Sequence, residues 1–345
     1  MVAMKTPRAL PGDATLRQAL SRRALFWAAI ASGVAIRAPH TATAQNAGLP
    51  AFSYPMGFAG QPLGDGLLMR HGYACENTWF FPGWWHTGEN WYRAGGEESA
   101  GIPVYAVADG EVVYADFDYP GRVVIIQHGP DLFSQYGHLD YDLAVAPGDL
   151  VVRGEQLGTI LLRTDDRARS HLHFEIRTFF TSTEVNGSAP RYAVNCGVEC
   201  PPGPGYWPMD APEHPSAMGW RNPTHVIAHR AWGGTAPAGA EVVVTTMAPE
   251  VTSLRSAPGD AAESTVLAEL ALAAGKSYPL LDIAAGDEAS TGTSAEAYRL
   301  WYQIAVEGET AWVQAAVPLA FDTGSDGRPS SVRLDFLPLI IAPEG

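Results

Sequence analysis

The chain has 345 residues and a formal net charge of −15, from 37 acidic against 22 basic side chains. It is long enough for two domains, since single cores stop growing near about 250–300 residues, and its acidic balance excludes nucleic acid as a partner. Lys5 and Lys276 are the only lysines, so the cationic complement is nearly all arginine.

Residues 1–44 hold six basic side chains against one acid, Asp13, and include the apolar run ALFWAAIASGVAI from Ala24 to Ile36. That run is too short to span a bilayer comfortably, and the small residues of TATA precede an expected cut after Ala44, so the segment reads as an export signal. SRRALF, directly at the start of the apolar run, resembles a twin-arginine signal. Removing a segment of net +5 leaves a chain at −20 with no stable membrane span. Three cysteines remain, Cys75, Cys196 and Cys200. In an oxidising compartment one disulfide and one spare thiol is the simplest count, with all three pairings open.

From Ile102 the chain reads as β-structure. IPVYAVADGEVVYADFD places β-branched and aromatic runs around an Asp109-Gly110 turn signal, GRVVIIQHG adds a third run, and APGDLVVRGEQLGTI a fourth and fifth. Many short strands without a long 3.6-residue period predict an antiparallel sandwich or open barrel. The Pro, Gly and Trp-rich stretch 200–223 is a structured loop, and WGGTAPAGA (232–240) a linker. Beyond it, EVVVTT, SLRSAPGD, TVLAEL, SYPLLDI, RLWYQIAV and ETAWVQAAV predict a small β-barrel, interrupted by the polar insertion 286–297. The expected organisation is therefore 1–44 signal, 45–231 first domain, 232–240 linker and 241–345 second domain with its tail.

SHLHFEIR carries His171 and His173 two residues apart among β-formers, so on a strand both imidazoles share a face. His138 lies in SQYGHLDYD beside a predicted strand, and His86 in a Trp- and Gly-rich loop, WWHTGENWY. Four histidines at strand ends converge when a sheet curls, leaving an open position for water on a bound zinc. Asp109 and Asp149 occupy turn positions where a short acceptor bonds its own backbone. The aromatic cluster from Trp79 to Tyr92 fits either a groove wall beside His86 or core packing.

HTGEN, VYAVADGEVV, VVIIQHG, QYGHL, VAPGDLVVRGEQLG and SHLHFEIR, in this order across about residues 60 to 230, resemble the lysostaphin-type zinc endopeptidases that cut peptidoglycan peptides. The resemblance implies zinc ligands at His86, Asn90 and His173, and catalytic histidines at His138 and His171. Asn90 departs from the family's HxxxD pattern, an amide where a carboxylate is expected. Glu89 is the neighbouring carboxylate, but one position along an extended segment it points to the opposite face. Glu175 alternates with the histidines and suits an outer position.

VTSLRSAPGDAAESTVLAEL and WYQIAVEGETAWVQAAV resemble a bacterial SH3-like domain over about residues 241 to 320, with Trp301 and Trp312 at the family's aromatic positions. Together the two resemblances imply an exported, extracellular or wall-associated endopeptidase. Its partners would be peptidoglycan peptides and, as an alternative role for a site weakened by Asn90, another wall hydrolase.

Overall fold

The computed structural model describes residues 51–78, 81–116, 120–164, 168–180, 182, 185, 205–230, 236, 238–259, 262–286, 298–323 and 329–339. The expected signal, Cys196, Cys200 and all but Gly286 of the polar insertion lie outside those residues. Among the described residues no helix is long and apolar enough to cross a membrane.

The first part of the chain forms β1 (Leu67–Arg70), β2 (Glu76–Asn77), β3 (Phe81–His86), β4 (Glu89–Arg93), β5 (Pro103–Tyr105), β6 (Gly110–Asp116) and β7 (Arg122–Gly129). It continues through β8 (Leu132–Leu139), β9 (Leu150–Val151), β10 (Gln156–Thr159), β11 (Leu172–Arg177), β12 (Tyr206–Pro208), β13 (Trp220–Arg221) and helix α1 (Pro223–Arg230). The second part adds β14 (Glu241–Val244), β15 (Val251–Arg255), β16 (Val266–Ala271), β17 (Ser277–Ala285), β18 (Leu300–Val306), β19 (Glu309–Thr323), β20 (Pro329–Leu334) and β21 (Phe336–Leu339).

The fold is mainly antiparallel β, as the run of short apolar segments predicted: every ladder among the described residues is antiparallel. Strand β7 illustrates the cause. Its sequence RVVIIQHG alternates Val124 and Ile126 into the main core with Val123 and Ile125 into a second cluster against Phe133, so both faces are covered. A continuous apolar run is what a strand buried on both sides requires. The Asp109-Gly110 signal does not close a hairpin between its flanking runs. Instead β5 pairs with β10, β6 pairs with β7 and β9, and the Asp109 carboxylate accepts the Arg153 amide at 2.7 Å. Asp149 caps its own turn by accepting the Ala146 amide at 2.8 Å.

The sheet runs in the order β21-β14-β17-β18-β19-β20-β1-β4-β11-β8-β7-β6-β9. The six apolar runs read in the second part each form a strand, β14 to β19, and two further strands follow them. Strand β20 pairs with β1 through Met69 opposite Val332, so the two parts share one sheet and one hydrophobic core. Strands β1 to β4 lie ahead of the point where β-structure was expected to begin, and His86 ends a strand rather than sitting in a loop.

Candidate functional site

Strand β11 lies between β4 and β8, and its register places His173 opposite Asn90 on one side and Gly137 on the other. Opposed residues project from the same face, so Asn90 and His173 meet while Glu89 and Phe174 turn to the other face. His86 arrives from β3 through a two-residue corner, Thr87-Gly88. Gly88 is required there by contact. A Cβ would overlap the Phe174 carbonyl oxygen and come within 2.8 Å of Glu175 Cγ.

The hydrogen bonds assign the ring nitrogens. His86 Nδ1–H donates to the Gly72 carbonyl at 3.3 Å, leaving Nε2 as an acceptor. His173 Nε2–H donates to Glu175 Oε1 at 3.0 Å, leaving Nδ1 as an acceptor. These two acceptors face each other across 3.0 Å, and Asn90 Oδ1 stands 3.1 Å from the same Nδ1. Three lone pairs thus converge in a pocket where His86, Asn90 and His173 are all buried. A proton relieves one pair; a metal cation relieves all three at once. Ligands about 2.0–2.1 Å from a tetrahedral zinc stand about 3.3 Å apart, so the cluster fits that ion with small outward adjustments. Among the described residues no group of three His, Cys, Asp or Glu converges in this way, because the third acceptor is an amide.

Glu175 is fully buried and satisfied on both oxygens. Oε1 also accepts from Thr87 Oγ1 at 2.7 Å, while Oε2 accepts from Trp220 Nε1 at 3.1 Å and Arg177 Nη1 at 3.3 Å. Burial pushes the Glu175 carboxyl up, but the bond from His173 and the Arg177 charge outweigh it and hold its pKa below the usual range. A carboxylate behind a ligating histidine fixes the ring's tautomer and orientation and raises its basicity. Residues Thr87, Arg177 and Trp220 carried no sequence signal for this role beyond their proximity to the histidine motifs.

His138 and His171 lie beside the cluster, their rings edge to face at 4.7 Å. His171 Nδ1–H donates to the Arg169 carbonyl at 2.7 Å and His138 Nδ1–H to the Pro120 carbonyl at 3.0 Å. In both, a proton taken up from elsewhere can land only on Nε2. Burial and then the neighbouring His138 hold the His171 pKa well below its usual value, so His171 is neutral at pH 7. Burial and His173 do the same for His86. His138 has φ of 64°, a left-handed conformation that costs a non-glycine residue about 1–3 kcal/mol and concentrates at functional sites.

The structure therefore brings together His86, Asn90, His138, His171 and His173. It does not bring Glu89, which is buried on the opposite face and accepts from Thr224 and Trp91. Of the aromatic cluster, Trp79 and Phe80 lie outside the described residues, and the rest divides. Trp91 is fully buried in the core, whereas Tyr92 stacks on His171 at 4.9 Å and Tyr206 tilts against His86 at 5.7 Å. Tyr206 lies in the Pro- and Gly-rich stretch, and Gly205 passes so close that a Cβ would sit 3.3 Å from the His173 ring. Cys75 is buried, while its two candidate partners lie outside the described residues.

The family described as Peptidase family M23 matches residues 92–187, a span that holds His138, His171 and His173 and begins just after Asn90. Over 81 residues the chain is 36% identical to Lipoprotein NlpD of Yersinia enterocolitica, covering 23% of this chain and 80% of that protein. Over 77 residues it is 38% identical to Peptidoglycan DD-endopeptidase ShyA of Vibrio cholerae serotype O1, covering 22% of this chain but only 17% of that protein. Cell division protein DipM of Caulobacter vibrioides is 38% identical over 79 residues, 22% of this chain and 13% of that one. Among solved structures, the antimicrobial peptidase lysostaphin from Staphylococcus simulans aligns over 84% of this chain and 98% of that chain, at 13% identity and a TM-score of 0.32.

Proposed function

The chain belongs to peptidase family M23, and from that premise we propose that it is an exported, zinc-dependent endopeptidase that hydrolyses peptide bonds in cell-wall peptidoglycan. The observation that carries the proposal is the convergence of three acceptors, His86 Nε2, His173 Nδ1 and Asn90 Oδ1, beside a second pair of histidines. Those three residues would hold the metal. When bound, zinc supplies a Lewis acid that lowers the pKa of water and polarises a carbonyl.

The chain's own groups supply the rest of the chemistry. Neutral His171 takes the proton of an attacking water on Nε2 and returns it to the leaving amine. Because Nδ1 of both His138 and His171 is committed to a backbone carbonyl, Nε2 of each ring is left for the reaction, and on His171 the proton taken from water presents an Nε2–H to the developing oxyanion before it passes to the amine. One such donor is commonly worth about 3 kcal/mol of transition-state stabilisation. Tyr92, stacked on His171, limits the ring's rotation. The second part of the chain would carry the SH3-like module expected from its sequence.

Asn90 favours a second reading, a peptidase-like protein that has lost most of its metal affinity and binds wall or acts on another wall hydrolase. A neutral amide oxygen is a poorer zinc ligand than a carboxylate. The two readings separate in one experiment: purified protein is incubated with peptidoglycan and added zinc, beside His171→Ala, and released fragments are identified by mass. Catalysis predicts peptide release that falls by at least about 100-fold in the variant. Release of nothing by the wild-type protein refutes it.

A further inference from the structure

The backbones of His86 and Asn90 are held by one short strap, residues 71–75. His86 N–H donates to Cys75 O and Ala74 N–H to His86 O, each at 2.8 Å, and Asn90 N–H donates to His71 O at 3.2 Å. The same strap supplies the Gly72 carbonyl that fixes the His86 ring. Its course is unusual: His71 and Ala74 take φ of 52° and 54°, left-handed values at non-glycine positions. Two such residues cost about 1–3 kcal/mol each unless the surroundings impose them.

Residues from much later in the sequence pack on this strap. Tyr298 Oη accepts the Tyr73 amide at 2.5 Å and donates to the buried Glu89 carboxylate at 3.0 Å. Its ring lies so close over Gly72 that any Cβ there would overlap it. The Gly72 amide donates to Ser330 O at 2.9 Å, and Tyr73 Oη to Trp220 O at 3.1 Å. Glu89 is the residue next to Asn90 and accepts from Thr224, Trp91 and Tyr298 at once.

We propose that Tyr298 is a positioning residue for the metal pocket, so that the second part of the chain is a structural component of the site as well as any tether to the wall. The inference rests on the zinc reading above, but one of its readouts does not need the metal. In Tyr298→Phe the ring still covers Gly72, while the Tyr73 amide loses its acceptor and Glu89 one of its donors. Tyr302→Phe is the matched control. It removes a hydroxyl from another fully buried tyrosine of the same part of the chain, one whose oxygen has no hydrogen-bond partner among the described residues.

The test measures zinc affinity by competition with a chromophoric chelator, and amide exchange in zinc-free protein. Tyr298→Phe is expected to weaken zinc binding by about 10-fold, the lower end of the scale for outer-shell partners of a ligand, because Tyr298 acts on the ligands only through Tyr73 and Glu89. It is also expected to speed exchange of the His86 and Asn90 amides by about 10-fold without moving that of Ile304, with Tyr302→Phe leaving both measurements at wild-type values. A Tyr298→Phe protein with wild-type zinc affinity and wild-type exchange at His86 and Asn90 overturns the proposal. If the wild-type protein binds no zinc, the metal reading fails, and amide exchange alone decides for or against the strap.

Discussion

Asn90→Asp exchanges a neutral amide for a carboxylate at a position only 4% exposed. Across an effective dielectric of about 20, a unit negative charge about 3 Å from a dication gains roughly 11 kcal/mol. Desolvating the carboxylate costs several kcal/mol of that, and the amide dipole already supplies a further share. The net expectation is about 3–4 kcal/mol, or zinc bound on the order of 10²–10³-fold more tightly. Without metal the sign reverses. The introduced carboxylate would set a buried charge where the amide oxygen now stands, 3.1 Å from the His173 acceptor, costing about 1–3 kcal/mol of folding stability. Chelator competition measures the first effect, and urea unfolding with and without zinc the second. Unchanged zinc affinity together with unchanged metal-free stability would refute the reasoning, because the side chain would then not face the pocket.

Two further expectations concern the frame around the site. Gly88→Ala drives a Cβ onto the Phe174 carbonyl and Glu175 Cγ; about 1–3 kcal/mol of stability should be lost, read as a lower urea midpoint, and zinc should bind more weakly because β11 must shift. His225 is buried in α1, and burial, with the charge of His229 secondary, lowers its pKa from 6.5 to about 3. The folded pKa lies below the unfolded one, so the unfolded chain takes up the proton first and stability falls as pH drops below 6.5. At about pH 5 the loss from this residue is about 2 kcal/mol; His225→Phe should flatten that part of the pH–stability curve, and an unchanged slope would show that other groups dominate it.

The histidine site was legible where chemistry and strand period coincide. SHLHFEIR reads as β-formers with histidines two apart, and the period of two alone turns Glu89 to the face opposite Asn90. The register that sets His173 against Asn90 was not legible, since pairing is decided by strands 83 residues apart in sequence. Strand β3, FPGWWH, was hidden by its adjacent Pro82 and Gly83, residues that ordinarily mark turns, and β2 by being only the two polar residues Glu76 and Asn77. Most remote of all, β20 joins β1 at Val332 and Met69. β1, LLMR, is a short apolar stretch and β20, PSSVRL, is half polar, and nothing local to either names its partner. The turn role of Asp149, by contrast, is a property of a few adjacent residues and could be read directly, whereas Asp109 bonds the amide of Arg153 and not its own local backbone.

The clamp on the strap also sets an order of events in time. Tyr298 follows Tyr73 by 225 residues, so at about 5–20 residues per second a nascent chain displays His86 and Asn90 for roughly 10–45 s before their clamp exists. Through that interval the strap lacks its contacts from Tyr298 and Ser330, and a metal ion would meet a site whose frame is incomplete. The protein would acquire its metal late, as a finished molecule.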